Sequence, residues 1–422
     1  MKTIDLVNKN LAKRYRKEKI FRALGLASIG FGLFCLVLLF TDIIGKGYKA
    51  FVQTNIQVEI TFDGDYLGII DPSNKQQMSS ANFEGLVKAS LRKTFNVTTR
   101  SDKKLLYNLI SSDAGYELRA LLTANPEWLN STKKIWLLAD DDLDTYYKSI
   151  NNRNGVFTGR MKDKQIIWVD QLIVRDHITT KFNSNFFTYG DSTEPELAGI
   201  RASLMGSLFT LLVTMVLSFP IGVAAAIYLE EYAPSNRLTD IIEVNINNLA
   251  AVPSIIFGLL GAAIFLGFFG MHRSLPLVGG LVLTLMTLPT IIITSRAAIK
   301  AVPPSIREAA MGIGASKMQV VLHHVLPLAM PGMLTGAIIG LAQALGETAP
   351  LLLIGMVAFI VDIPGGVTDP ATALPVQIYL WSDRPERSFA ELTSAAIMVL
   401  LGVLIVMNTL AVLLRKKLER RW

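Results

Sequence analysis

Apolar residues gather along this chain into six long runs, at 23–44 and roughly 201–229, 249–270, 275–296, 330–360 and 393–414. Each is long enough to approach the ~20 residues that carry a helix through hydrocarbon. The first exceeds the ~7–15-residue apolar core of a signal peptide, and no small-x-small site follows, so it reads as a retained anchor. The fifth contains Gly346 and Pro350 and is expected to be tilted or broken. Between the first two runs the pattern changes. Ile56, Val58, Ile60 and Phe62 alternate as in a half-buried strand, whereas Phe83, Leu86, Val87 and Leu91 recur at helical spacing. Leu105, Leu106, Leu109 and Ile110 suggest a helix over 103–122, and short strands are expected at 134–139 and 164–174. The fold class is therefore an all-α polytopic membrane protein with about six transmembrane helices and an α+β insert.

Composition agrees. Of 422 residues, 51% are hydrophobic and 18% charged, against about 25% charged in soluble domains. Disorder and coiled coil are excluded, and a lone Cys35 excludes a disulfide scaffold. The net charge of +7 sits beside the spans. Lys2, Lys9, Lys13, Arg14, Arg16, Lys17, Lys19 and Arg22 precede the first, and Arg415, Lys416, Lys417, Arg420 and Arg421 close the chain. Basic flanks mark the cytoplasmic side, a better reading than nucleic-acid binding. The chain divides into a basic cytoplasmic N-terminus (1–22), a first span (23–44), a periplasmic α+β domain (45–198), a transmembrane domain (199–415) and a basic cytoplasmic tail (416–422). Loops 230–248 and 297–329 then lie inside. Asp140, Asp141, Asp142 and Asp144 could hold calcium, but EF-hand spacing and its glycine are missing. They read as a solvated turn, and no metal site is expected.

The most patterned segment is the inside loop at 303–327. Ser305 with Glu308, and Ser316 with Gln319, form two capping-box spacings. Gly312 and Gly314 supply a turn between two short helices, and Pro327 is expected to stop the second.

Glu308-Ala309-Ala310, then Gly314, then Leu326-Pro327 resemble the EAA loop of binding-protein-dependent ABC importer permeases. One departure is His324, where an isoleucine is usual. Residues 199–234, Val252 to Gly258, Leu345 to Leu351 and 374–389 look like the PstA-type permeases of phosphate importers. The insert is similar to an extra exported domain found in a subset of them. The resemblance covers about half of the chain, 200–422.

It implies that the EAA loop docks on a separate ATPase, with Glu308, Ala309, Ala310, Gly314, Leu326 and Pro327 as coupling residues. It also implies a second phosphate permease subunit, an ATP-binding subunit dimer and a periplasmic phosphate-binding protein as partners. Glu347 lies in an apolar stretch, where an ionised group costs about 2.5–3.5 kcal/mol and should face a cavity or a partner. It reads as a gate or ion-pair residue beside Thr348, or as a satisfied structural carboxylate. An arginine is frequent in the family where Gln343 stands, so positive charge for the anion would come from Arg201, Arg296 or the partner permease. Arg296 reads equally well as a boundary anchor.

No GxxxxGK[ST] phosphate loop is present, so ATP is expected on the partner, with no cofactor and no catalytic residue here. The expected function is a permease subunit moving phosphate across the bacterial inner membrane. Alternatives are another oxyanion such as sulfate or molybdate, an ion-coupled secondary transporter, or an anchored sensor. A secondary transporter would carry more intramembrane charges and repeated halves.

Overall fold

Hydrocarbon tolerates backbone only when its polar groups are satisfied within the segment, so apolar runs must form helices. The computed structural model describes residues 3–72, 74–151 and 160–418; Lys2, Arg420 and Arg421 of the basic ends lie outside them. Among the described residues five helices are long and apolar enough to span: Lys13–Phe51, Arg201–Tyr232, Pro276–Lys300, Lys317–Gly346 and Arg387–Lys417. A sixth crossing is possible only through a pair, Arg237–Ala250 and Ser254–Phe268, that meets at 101°.

Two expected boundaries change. The run at 249–270 breaks before Pro253, which disfavours helix at the residue preceding it. Most of the expected inside loop 230–248 is instead helical, capped by Asn236, whose Oδ1 accepts from the Thr239 amide at 3.0 Å. The run at 330–360 is broken, as expected, but its long helix ends at Gly346 and only the short helix Ala349–Leu353 follows. Pro350, which lacks an amide donor, permits no continuous ladder there.

The central pair, Arg201–Ile227 and Pro276–Lys300, packs through small residues: Gly279 and Gly280 of the second lie against Thr210 and Val213 of the first, and the Thr214 hydroxyl reaches the Gly280 carbonyl at 3.3 Å, whereas Gly206 and Ser207 face 371–374. Close backbone approach substitutes for the hydrophobic effect inside lipid. A Cβ added at Gly206 would fall 2.2 Å from the Thr372 carbonyl. The Thr210, Thr214, Thr284 and Thr287 hydroxyls donate to carbonyls one turn earlier, so burial leaves none unsatisfied. The end of the first helix, Thr3–Gly47, packs on the first turns of Arg387–Leu418, with Gly47 against Ser394 and Ala395.

The insert holds a three-stranded antiparallel sheet, ordered β2 (Thr132–Leu138), β1 (Val52–Thr61), β3 (Ile178–Phe182). Val58 stands opposite Ile135, and Ile56 opposite Leu137 and Ile178. The alternation read at 56–62 is the buried face of β1, covered by the helices Phe83–Phe95 and Ala114–Ala124. The segment 103–122 is two helices, Arg100–Tyr107 and Ala114–Ala124, rather than one. The expected strand at 164–174 is the helix Asp163–Val174. Trp168, Val169 and Leu172 are buried at helical spacing, and the Gln165 side chain accepts from the Lys162 amide at 3.0 Å. The third strand is β3, just after it.

The insert is seated on the membrane part. Asp191 donates its amide to the Ile360 carbonyl at 2.9 Å and accepts from Trp381 Nε1 at 2.8 Å. Gln377 Nε2 donates to the Gly199 carbonyl at 3.0 Å. Ala50, Phe186 and Ile200 share a core with Leu374, Trp381 and Phe389.

Candidate coupling site

At the opposite end of the bundle from the insert, the chain leaves Pro276–Lys300 and forms the helix Pro304–Gly312. Pro304 occupies its first turn, where a missing amide costs nothing. Pro303 takes the cap position with no side-chain bond, so the expected Ser305–Glu308 capping box does not form. The Ser316–Gln319 box does: Gln319 Oε1 accepts from the Ser316 amide at 2.9 Å and Ser316 Oγ from the Gln319 amide at 3.4 Å. Between them Gly314 has φ of +91°. A Cβ there would meet open space, so conformation and not room selects glycine. Gly314→Val should cost about 1–3 kcal/mol locally and appear as faster hydrogen exchange at 312–318 with the spans unaffected; unchanged exchange would refute it.

Pro327 does not stop the second helix. From Lys317 the chain continues through a wide π-helical stretch, Val320–Val325, into Leu326–Gly346. Pro327 falls in the first turn after that stretch, where the regular ladder is already interrupted. Loop and span are thus one continuous element.

The loop turns one face in and one face out. Ala310 is buried with Ala226, Ile299, Val302 and Val325, while Leu326 and Pro327 are half-buried. Glu308 and Ala309 are exposed beside Met311, Ile313 and Met318, which are 53%, 84% and 56% exposed. Arg307 fixes this orientation. Its guanidinium donates to Glu231 Oε1 through Nε at 3.0 Å and Nη2 at 2.8 Å, and to the carbonyls of Val302 at 2.7 Å and Ile299 at 3.0 Å. Tyr232 donates its hydroxyl to Met318 Sδ at 3.3 Å and lies under Lys317. The loop is therefore tied to the ends of two spans.

Arg296 belongs to the same end. It bonds Glu243 Oε1 at 2.5 Å and Glu230 Oε2 at 3.4 Å, with Lys300 3.6 Å from Glu230. Arg201 is exposed at the other end of Arg201–Tyr232, about 40 Å away at 1.5 Å per residue, so a single anion cannot touch both. Gln343 is exposed on one stripe with Ile339 and Gly346, uncovered by this chain. Glu347 and Thr348 are half-buried at the unwound link after Gly346, and the Glu347 amide donates to the Ala344 carbonyl at 3.3 Å. Gln343, Glu347 and Thr348 follow one another within six positions at the end of the long helix and its link, while Arg201 and Arg296 stand at opposite ends of the bundle. Arg307 and the Glu230-Glu231 pair were missed by sequence reading; two acids closing an apolar span are the signal that could have found them.

Residues 218–422 match the family of binding-protein-dependent transport system inner membrane components. The phosphate transport system permease protein PstA 2 of Mycobacterium bovis (strain ATCC BAA-935 / AF2122/97) is 31% identical over 227 residues, 53% of this chain and 74% of that protein. The chain belongs to this permease family. The probable ABC transporter permease protein YqgI of Bacillus subtilis (strain 168) is 34% identical over 173 residues, 41% of this chain, which spans 58% of YqgI's length. PstA 1 of Mycobacterium tuberculosis (strain CDC 1551 / Oshkosh) is 28% identical over 259 residues, 61% of this chain and 84% of that one. A domain of unknown function, DUF3333, matches residues 8–155, taking in the first helix and most of the insert together. As a permease of this family the chain is a multi-pass inner-membrane protein, and the Glu308–Pro327 pattern lies inside the matched region.

Proposed function

We propose that this chain is the membrane-spanning permease subunit of an ATP-driven importer that moves inorganic phosphate inward, driven by a separate ATPase seated on 303–327. The observation that carries it is the outward face of Glu308, Ala309, Met311 and Ile313 on a loop clasped by Arg307 to two spans. An apolar patch ringed by charge suits a protein partner. Arg415, in the basic stretch that ends the last helix, donates through Nη1 to Thr335 Oγ1 at 3.3 Å on the span that continues from the loop, and these basic flanks assign the loop's end of the bundle to the cytoplasm. The insert then faces the periplasm, where a phosphate-binding protein delivers the anion.

The ATP-binding subunit pair closes on the loop, and the clasp passes that movement to the Glu231 and Ile299 ends of the spans. A second permease covers the stripe of Ile339, Gln343 and Gly346, completing the pathway. There Gln343 donates to the anion and Glu347, oriented by Thr348, acts as a gate; Arg201 attracts the anion at the entrance. ATP hydrolysis belongs to the partner, and this chain supplies no catalytic group.

The test is uptake into proteoliposomes holding both permeases and the ATPase, with phosphate-binding protein outside and ATP inside. ATP-dependent accumulation that sulfate and molybdate do not compete away is expected. ATP turnover without phosphate movement would discard the substrate, and uptake driven by an ion gradient alone would discard the mechanism. In the same assay Glu347→Ala should change uptake at least several-fold with assembly intact; wild-type uptake would return Glu347 to a structural role.

A further inference from the structure

Between the insert and the last membrane helix one small cavity gathers more carboxyl groups than its cations can neutralise. It measures about 20 Å³, room for one water. Its charged walls are Asp141, Asp144 and Lys148 of the helix Asp141–Asn151, Glu196 on the approach to the first central span, and Glu391 of Arg387–Leu418. Four carboxyls thus face one ammonium. The solvated turn expected at Asp140 to Asp144 is not what forms, because Leu143 and Tyr146 pull this helix into the core.

Three of the four carboxyls have company. Asp144 takes Lys148 Nζ at 2.5 Å, and its other oxygen accepts from the Thr54 amide and hydroxyl at 2.8 and 2.7 Å. Ser388, from the membrane side, donates to Asp141 Oδ2 at 3.2 Å. Glu391 has the charges of Lys148 and Lys49 nearby.

Glu196 is the one left over. It is 7% exposed, and neither carboxylate oxygen has a hydrogen-bond partner. Only its backbone is held, with Gln53 Nε2 donating to the Glu196 carbonyl at 2.5 Å. The Ser111 hydroxyl comes near without reaching bonding geometry, and the other charges felt at Glu196 are the carboxyls of Asp141 and Glu194. Asn183 on the same wall is uncharged, and Arg160, Glu386 and Arg387 border a separate cavity at Asp141 and Asp142. Among the described residues, then, no cation but Lys148 lines the cavity, and Asp144 holds it.

A buried carboxyl without a donor takes up a proton rather than keep its charge. Burial first, then the charges of Asp141 and Glu194, push Glu196 up to about 7. Burial and the charges of Asp141, Glu196 and Asp142 push neighbouring Asp140 up to about 8.

We propose that Glu196 is a proton-operated fastening between the insert and the last membrane helix. Protonated, its O–H can donate to a carboxylate of the shared cavity, and the insert sits tight. Ionised, it adds an unmatched charge to a wall already short of cations, and the seating loosens. The sign follows from linkage: a carboxyl that holds its proton more firmly in the seated form stabilises that form most at low pH, and loses the advantage as pH rises. For Glu196 the window runs from its ordinary 4.5 to about 7, and Asp140 carries it on to about 8.

The test is hydrogen exchange on the full chain in nanodiscs, whose two faces share one buffer, from about pH 5.5 to about pH 8.5, with rates corrected for the intrinsic pH dependence of amide exchange. Protection at 139–146, 194–198 and 387–393 should fall at least tenfold as pH rises, one pKa unit being worth a factor of ten, with 303–327 unchanged. Glu196→Gln, which cannot ionise, should lose more than half of that fall on a logarithmic scale. Asp102→Asn, which breaks a pair with Lys164 elsewhere in the insert, should lose none of it. A smaller fall in the wild type, or a fall retained by more than half in Glu196→Gln, overturns the proposal. Should Glu196→Gln fail to fold, the wild-type map decides: a fall confined to those three segments supports the fastening, and one spread evenly over the chain overturns it.

Discussion

Arg307→Ala should nearly abolish ATP-driven uptake while leaving the chain inserted and the ATPase still bound. The substitution strands Glu231, whose side chain is 10% exposed, and frees the carbonyls of Ile299 and Val302. Removing one partner of a buried ion pair costs about 3–5 kcal/mol, and about 3 kcal/mol is roughly a hundredfold in the balance between a clasped and a loose loop. Arg307→Lys keeps the charge but cannot fork to a carboxylate and two carbonyls at once, so it should restore only part of the uptake. Uptake and ATP hydrolysis measured together give the answer. Hydrolysis continuing without transport is the expected signature of a severed link, and wild-type uptake in Arg307→Ala would show that the clasp transmits nothing.

The loop itself was legible because its information is local. Glu308-Ala309-Ala310, Gly314 and the Ser316–Gln319 box lie within twelve residues, and the structure keeps the helix, the turn and the second cap. The clasp was not legible, because Arg307 and Glu231 lie 76 positions apart and meet only after two spans have packed. The same contrast runs through the insert. The alternation of β1 shows in any short window, whereas 164–174 is rich in Ile and Val, and only the burial of Trp168, Val169 and Leu172 reveals its helical period.

Pro327 and the Ser305–Glu308 spacing misled for a related reason. Each signal is sound alone, but Pro303-Pro304 had already set where the first helix starts, and the π-helical stretch absorbs Pro327. Asp140 to Asp142 read as a solvated turn because nothing nearby in sequence foretells Ser388, 247 positions on, donating to Asp141. For the anion pathway the sequence could name polar residues inside an apolar stretch, but which of them share a surface is set by the break after Gly346. The separation of Arg201 from Arg296 follows from their places at opposite ends of paired helices.

Glu308→Arg, and more severely Ala309→Arg, should release the ATPase while leaving the permease folded. Both side chains point away from the core that Ala310 enters, so neither change disturbs the clasp or the buried cluster. Ala309 is small where Met311 and Ile313 beside it are large and exposed, a profile that admits close approach of a partner backbone at that spot. An arginine there places a long charged side chain in the centre of the contact, and central positions carry about 2 kcal/mol or more each in well-packed interfaces. That predicts at least a thirtyfold loss in ATPase affinity for Ala309→Arg, and a smaller, salt-sensitive loss for Glu308→Arg, because a rim charge acts mainly on encounter. Co-purification at low and high salt, with hydrogen exchange at 304–312 as the folding control, separates the two. Retention of the ATPase by Ala309→Arg would mean that the exposed face of Pro304–Gly312 is not where the partner sits. The Arg307 clasp would then be stabilising a loop whose docking surface lies elsewhere, with Met318 and Leu322, 56% and 41% exposed, the next face to test.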